Sequence, residues 1–238
     1  MTVRRALAAD APQRAATQPG DDHGFLAGWR AITSSPGLRL LVILMTLATL
    51  AIGVIQVLIK PILLPTVSTS EMGVIETVAA IGMLVGATLV TAWKSAQPTT
   101  LLTAGLAATG IAMILVPLGP GAWWVAACGF LTFASLPLSQ AGAEVLVRTR
   151  VDNAQQARTW GTISLVTQMG YLVAYLCSGV LVDRVLQPLL EPGQALSASV
   201  GTVVGSGPGR GAALLVGIMG LGMVLVALGV HTRRRQLT

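Results

Sequence analysis

Six apolar runs of at least twenty residues each recur along this chain, at 38–60, 72–93, 99–118, 122–146, 159–182 and 211–230. A hydrocarbon layer about 30 Å thick is crossed by about 20 helical residues rising 1.5 Å each, so every run is long enough to span a bilayer. The runs are uniformly apolar and lack the ten-residue alternation of a barrel strand, so they predict helices. The fold class expected is all-α integral membrane, with six transmembrane helices.

Composition agrees with this reading. Of 238 residues, 53% are hydrophobic and only 10% charged, and the mean hydropathy is +0.76. Soluble domains carry about 25% charged residues, so a water-exposed surface cannot be built from this pool. Soluble enzymes, disordered tails and disulfide-stapled secreted domains are excluded together. Residues 1–37 are polar and rich in Ala, Pro, Asp and Arg, and read as a disordered cytoplasmic tail; residues 233–238 read as a basic one. Arg4 and Arg5 precede too short an apolar stretch for a signal peptide, so no cleavage is expected.

The net charge of +6 is a topology signal and calls for no nucleic acid. With six spans both ends share a side, and that side carries twelve of the fifteen cations: Arg4, Arg5, Arg14, Arg30, Arg39, Lys94, Arg148, Arg150, Arg158, Arg233, Arg234 and Arg235. Lys60, Arg184 and Arg210 fall opposite. Cytoplasmic loops concentrate lysine and arginine, so both termini are expected in the cytoplasm and the chain in the cell membrane. Trp93 and Trp160 fall at inner helix ends and Trp123 and Trp124 at an outer one, as interfacial anchors do; Trp29 precedes the first span.

Catalytic groups are scarce. His23 and His231 lie in the tails, no aspartate falls within a span, and Cys128 and Cys177 are single thiols without metal spacing. No enzyme, metal or cofactor is therefore expected. The run from Gly205 to Gly211 lacks the Gly-Lys-Ser/Thr ending of a phosphate loop and reads as a turn.

Polar groups within spans are costly in hydrocarbon and usually face a cavity or another helix. Ser164, Gln168, Tyr171 and Tyr175 on the fifth span are spaced by four, three and four, which sets them on one face. Thr49, Gly53, Gln56 and Lys60 form a similar stripe on the first. The fourth carries Thr132, Ser135 and Ser139, with Pro137 and Gln140 beside them, and the second carries Glu76. The third and sixth hold no charged or amide side chain in their apolar cores and are expected to face lipid, leaving the other four to line an interior path. Gln56, Ser135, Gln140, Ser164, Gln168, Tyr171 and Tyr175 are thus substrate-path candidates. Glu76 is a proton-coupling carboxyl, a partner for Lys60 or a group lying at the membrane interface. Glu144 and Arg148, four apart with the acid first, read as a structural ion pair.

The polarity repeats every three helices, with a local echo. Gly73-x-Ile75 followed by Gly82-x-Leu84-Val85 on the second span matches Gly161-x-Ile163 followed by Gly170-x-Leu172-Val173 on the fifth. An odd number of helices between copies makes the 3+3 repeat inverted in the membrane. The stretch from Arg148 through Gly161 to the glycine-rich turn at 205–211, together with SEMGVIETVAAIGMLVGATLV, resembles the second half of a major facilitator superfamily exporter of the macrolide-efflux and enterobactin-exporter type.

That resemblance covers residues 25–232 and equates these spans with helices seven to twelve of a twelve-helix transporter. It implies proton-coupled export of a hydrophobic or amphipathic small molecule, working with a second six-helix bundle, from a separate chain or a second copy. The loop at 86–98 keeps a glycine and Lys94 from the family's gating motif but has no acid. A membrane scaffold, regulatory subunit or truncated transporter relic is the alternative expectation.

Overall fold

The computed structural model describes residues 23–93, 95–119, 121–191, 200–205 and 207–232. Its elements are helical, with no strand among the described residues. Among the described residues, six helices are long and apolar enough to cross a membrane. A short helix α1 (His23–Ser34) precedes α2 (Pro36–Leu63), α3 (Thr69–Ala92), α4 (Pro98–Leu115, extended by a 3-10 turn Val116–Leu118), α5 (Ala122–Arg148) and α6 (Asn153–Leu181). A π-turn Val182–Leu186 and the turn Gln187–Leu189 prolong α6, and after a short helix Val200–Val204 comes α7 (Arg210–Thr232).

Helix starts follow local chemistry. Ser35 caps α2 by accepting from the Leu38 amide at 3.4 Å, with Pro36 at the first position, where a missing N–H costs nothing. Ser68 and Glu71 form a reciprocal capping box at α3: the Glu71 amide donates to Ser68 Oγ at 3.3 Å and the Ser68 amide to Glu71 Oε2 at 2.8 Å. Pro98 opens α4, and Gly121, at φ 85°, turns the chain into α5.

Residues 23–34, expected within a disordered tail, form an amphipathic helix instead. Gly28 lies against Thr162 and the Arg158 carbonyl of α6, Ile32 is buried, and Leu26 and Trp29 stay exposed. Residues 1–22 and the basic end 233–238 lie outside the described residues, as does Lys94.

The spans pack as a bent row in the order α3, α5, α4, α7, α2, α6. Close approach is made by glycine. Gly82 and Gly86 of α3 meet the backbone at Phe130 and Ala134 of α5; Gly105 of α4 meets Ser139 of α5; Gly142 of α5 meets Pro98 and Leu102 of α4. Gly110 of α4 and Gly220 of α7 lie backbone to backbone, and Gly170 of α6 meets Thr46 and Leu50 of α2. Helices in hydrocarbon gain nothing from hiding apolar surface, so such backbone contact supplies the attraction. The main core joins Leu41, Leu106, Met113, Val147 and Val216 from four spans.

The expectation that the third span faces lipid is corrected here. In its most apolar stretch α4 is 61% buried, the highest of the six, whereas α3 is 17% and α6 22% buried. Its Gly105 and Gly110 let α5 and α7 close on it from two sides, so smallness decides its place and polarity does not. The sixth span, α7, exposes an apolar stripe of Ile218, Leu221, Leu225 and Leu228, but at 39% buried it is more enclosed than α3 or α6 and packs between α4 and α2.

Candidate functional site

Where α2 and α5 approach without packing closely, two clefts open along their length. The first, about 200 Å³, is lined by Leu44, Met45, Ala48, Thr49 and Ile52 of α2, by Leu136, Ser139, Gln140, Ala143 and Glu144 of α5, by Leu102 and Leu106 of α4, and by Trp160, Thr167 and Tyr171 of α6. The second, about 250 Å³, is lined by Ile55, Gln56 and Ile59 of α2, by Val125, Gly129 and Phe133 of α5, and by Ile75, Glu76, Ala79 and Ala80 of α3. On α2 the lining residues recur every three or four positions from Leu44 to Ile59, and on α5 from Val125 to Glu144. Each set is a single helical stripe, so the clefts are two segments of one furrow.

Four expected path residues meet in or beside this furrow. Gln56 lines the second cleft, and its Oε1 accepts from the Tyr175 hydroxyl at 2.9 Å, joining α2 to α6. Tyr171 lines the first cleft, with its ring centroid 6.0 Å from that of Tyr175 at a 40° tilt. Gln140 lines the first cleft from α5. Glu76 lines the second and forms no ion pair with Lys60, which is exposed in the last turn of α2. In the helix geometry Glu76 lies about 10 Å below the start of α3.

Three others lie elsewhere. Ser135 is buried between α5 and α4, with its hydroxyl 2.7 Å from that of Thr109 and donating to the Thr132 carbonyl at 2.8 Å. It holds two helices together because Gly105 draws α4 onto that face of α5. Ser164 and Gln168 are exposed and line neither cleft. The cleft-facing residues of α6 are Trp160, Thr167 and Tyr171, a stripe displaced by about one position from the one that polarity alone marks. Gly170 and Ala174 set this rotation: the first fits against Thr46, and the second is buried against Gly53. Thr49 adds a cross-helix bond, donating to the Thr167 carbonyl at 2.8 Å.

Trp160 and Phe133 are lining residues that sequence reasoning missed. Trp160 stands eleven residues before Tyr171, three turns of helix, and that spacing was the available signal. Phe133 carried none beyond its aromatic ring. Glu144 and Arg148 pair at 3.7 Å with both side chains more than half exposed, a contact worth at most about 0.5 kcal/mol.

The glycine-rich turn also has a visible part. Gly205, Gly207 and Gly209 take φ values of 86°, 129° and 77°, which exclude most other residues. Gln187 clasps the turn, its Nε2 donating to the Gly207 carbonyl at 3.0 Å and its Oε1 accepting from the Gly211 amide at 3.1 Å. Ser206 and residues 192–199 of the preceding loop are outside the described residues.

The furrow offers two amides, the Tyr171 phenol and two carboxylates among aliphatic and aromatic walls, a lining suited to holding a mostly apolar molecule by a few polar points. No protein family model, curated protein or solved structure matches the chain.

Proposed function

We propose that this chain forms one six-helix half of a proton-coupled secondary transporter that exports a hydrophobic or amphipathic small molecule across the cytoplasmic membrane, with both termini in the cytoplasm. The observation that carries the reading is the open-sided furrow along α2 and α5, flanked by the sparsely buried α3 and α6. A furrow is one wall of a path. A second six-helix bundle, from another chain or a second copy, supplies the other wall, and alternating access rocks the two about the site.

An inverted repeat of three helices is consistent with the packing. Exchanging each span for the one three further on turns the α3–α5 contact into the α6–α2 contact and leaves the α4–α7 contact in place. The echoed residues also share environments: Gly82 and Gly170 each press on a neighbour's backbone, Ile75 and Ile163 are buried, and Gly73 and Gly161 each face open space. These likenesses support the reading of the bundle as half a major facilitator fold, for which such an internal symmetry is expected. Glu76, an unpaired carboxyl facing the furrow, is the coupling group in this scheme.

The test is the mass of the complex purified in mild detergent, followed by its reconstitution into proteoliposomes. Two six-helix bundles per particle and substrate movement driven by a proton gradient are expected, the latter lost in Glu76→Gln. A single bundle of 24.5 kDa overturns the proposal.

A further inference from the structure

Helix α1 spends only part of its apolar face inside the bundle. At about 100° per residue, Ile32, Trp29 and Leu26 follow one another round the helix as one apolar arc about 120° wide. Ile32, at one edge, is buried, and Gly28 beside it presses on the Arg158 carbonyl and on Thr162 of α6. Trp29 and Leu26, in the middle and at the far edge, are 46% and 55% exposed. Thr33 falls between them and returns its hydroxyl to the Trp29 and Arg30 carbonyls at 3.0 and 3.1 Å, so it adds no unmet donor to the arc.

The level of α1 follows from its neighbours. Gly28 meets α6 between Arg158 and Thr162, where the apolar run of that span begins, and α1 ends at Ser34, shortly before the apolar run of α2 begins at Leu38. Both contacts set α1 at the edge of the hydrocarbon layer, the depth at which interfacial helices bury leucine and tryptophan.

Charge beside the exposed arc has one sign. Arg30 follows Leu26 round the helix by about 40° and is exposed, as is Arg39 in the first turn of α2. Neither forms an ion pair among the described residues, and no acid occurs from His23 to Leu40. At the same end of the bundle Glu144 is faced by Arg148 at 3.7 Å, and Asp152 is exposed just before α6.

From this we infer that α1 is a membrane-surface helix that gathers anionic phospholipid, with Leu26 and Trp29 set among the acyl chains and Arg30 and Arg39 against the headgroups. A zwitterionic headgroup carries its own cation beside its phosphate, so the two arginines favour the lipid with net negative charge. The inference needs only that the six helices span a bilayer and stands apart from the transporter reading.

Tryptophan quenching in nanodiscs tests it on the full chain. The discs hold equal amounts of phosphatidylcholine and phosphatidylglycerol, with bromine on the acyl chains of one or the other. The emission due to Trp29 is the difference between the protein and Trp29→Phe. Both brominated lipids are expected to quench it, phosphatidylglycerol more strongly by about twofold or more. That excess should disappear in the double variant Arg30→Gln, Arg39→Gln and persist in Arg30→Lys, Arg39→Lys, which keeps both charges. The other four tryptophans, quenched alike in every variant, report that the bundle is intact. Trp29 emission untouched by either lipid would put α1 away from the bilayer. Equal quenching by both would remove the choice of headgroup, and an excess that survives both glutamines would remove the arginines; each of the three overturns the inference. None of them depends on whether the particle holds one bundle or two, so the transporter reading is tested separately.

Discussion

Helices α4 and α6 show what a membrane changes about packing. α4 holds no charged or amide side chain and is the most enclosed span, while α6 carries Gln168 and both tyrosines and is among the least enclosed. In water the greasier helix would be drawn inward by its apolar area. In hydrocarbon that force vanishes, and the interior goes to whichever helix lets neighbouring backbones approach, here through Gly105 and Gly110. The amides and tyrosines of the spans then lie where a helix faces a furrow or an exposed flank, while small hydroxyls such as Thr109 and Ser135 are buried between helices.

The contrast can be broken most forcefully at Gly105. Gly105→Leu drives a side chain into the Ser139 backbone and should lower stability by about 3 kcal/mol or more, read as loss of the folded fraction in detergent denaturation. Thr109→Val removes the buried hydroxyl pair with Ser135 between α4 and α5. The expected cost is about 1 kcal/mol in the same assay, since interhelical hydrogen bonds in bilayers average below that and reach about 1.7.

On α6 the expected effects are smaller. Tyr175→Phe deletes the half-exposed bond to Gln56 and should cost about 0.5 kcal/mol. Gly161→Ala, at a position open to space, should change stability by less than about 0.5 kcal/mol in either direction. A loss at Gly161 as large as that at Gly105 would abolish the distinction between the two helices. Gln168→Leu sharpens it differently: stability of the isolated bundle should hold, while the two-bundle particle proposed above should dissociate more readily in detergent.

The number, order and extent of the spans were legible because bilayer thickness fixes a length that apolar runs report directly. Observed ends fall within a few residues of expectation for most spans; α6 begins six residues earlier, at Asn153, because polar residues such as Gln155, Gln156 and Arg158 continue the helix below the apolar run. The amphipathic α1 was hidden by its setting, a polar tail whose helix gains order from docking Gly28 and Ile32 on tertiary neighbours. Gln56, Gln140, Tyr171 and Glu76 were legible as costly groups that must face something. The place of Ser135 and the lining roles of Trp160 and Thr167 on α6 were not, because helix rotation is set by small residues on the partner, and a single sequence does not say which glycine meets which backbone.

The crossing of Gly110 and Gly220 has a mechanical side. It joins the triplet α2–α4 to the triplet α5–α7 backbone to backbone, with the Val224 and Met113 side chains closing in beside it. Because the row interleaves the two triplets, the crossing acts as a rivet and holds one triplet fixed on the other. A methyl group at Gly110 would stand 2.7 Å from the Gly220 carbonyl, and one at Gly220 2.6 Å from that of Gly110, so either would prise the rivet open and move the helices apart.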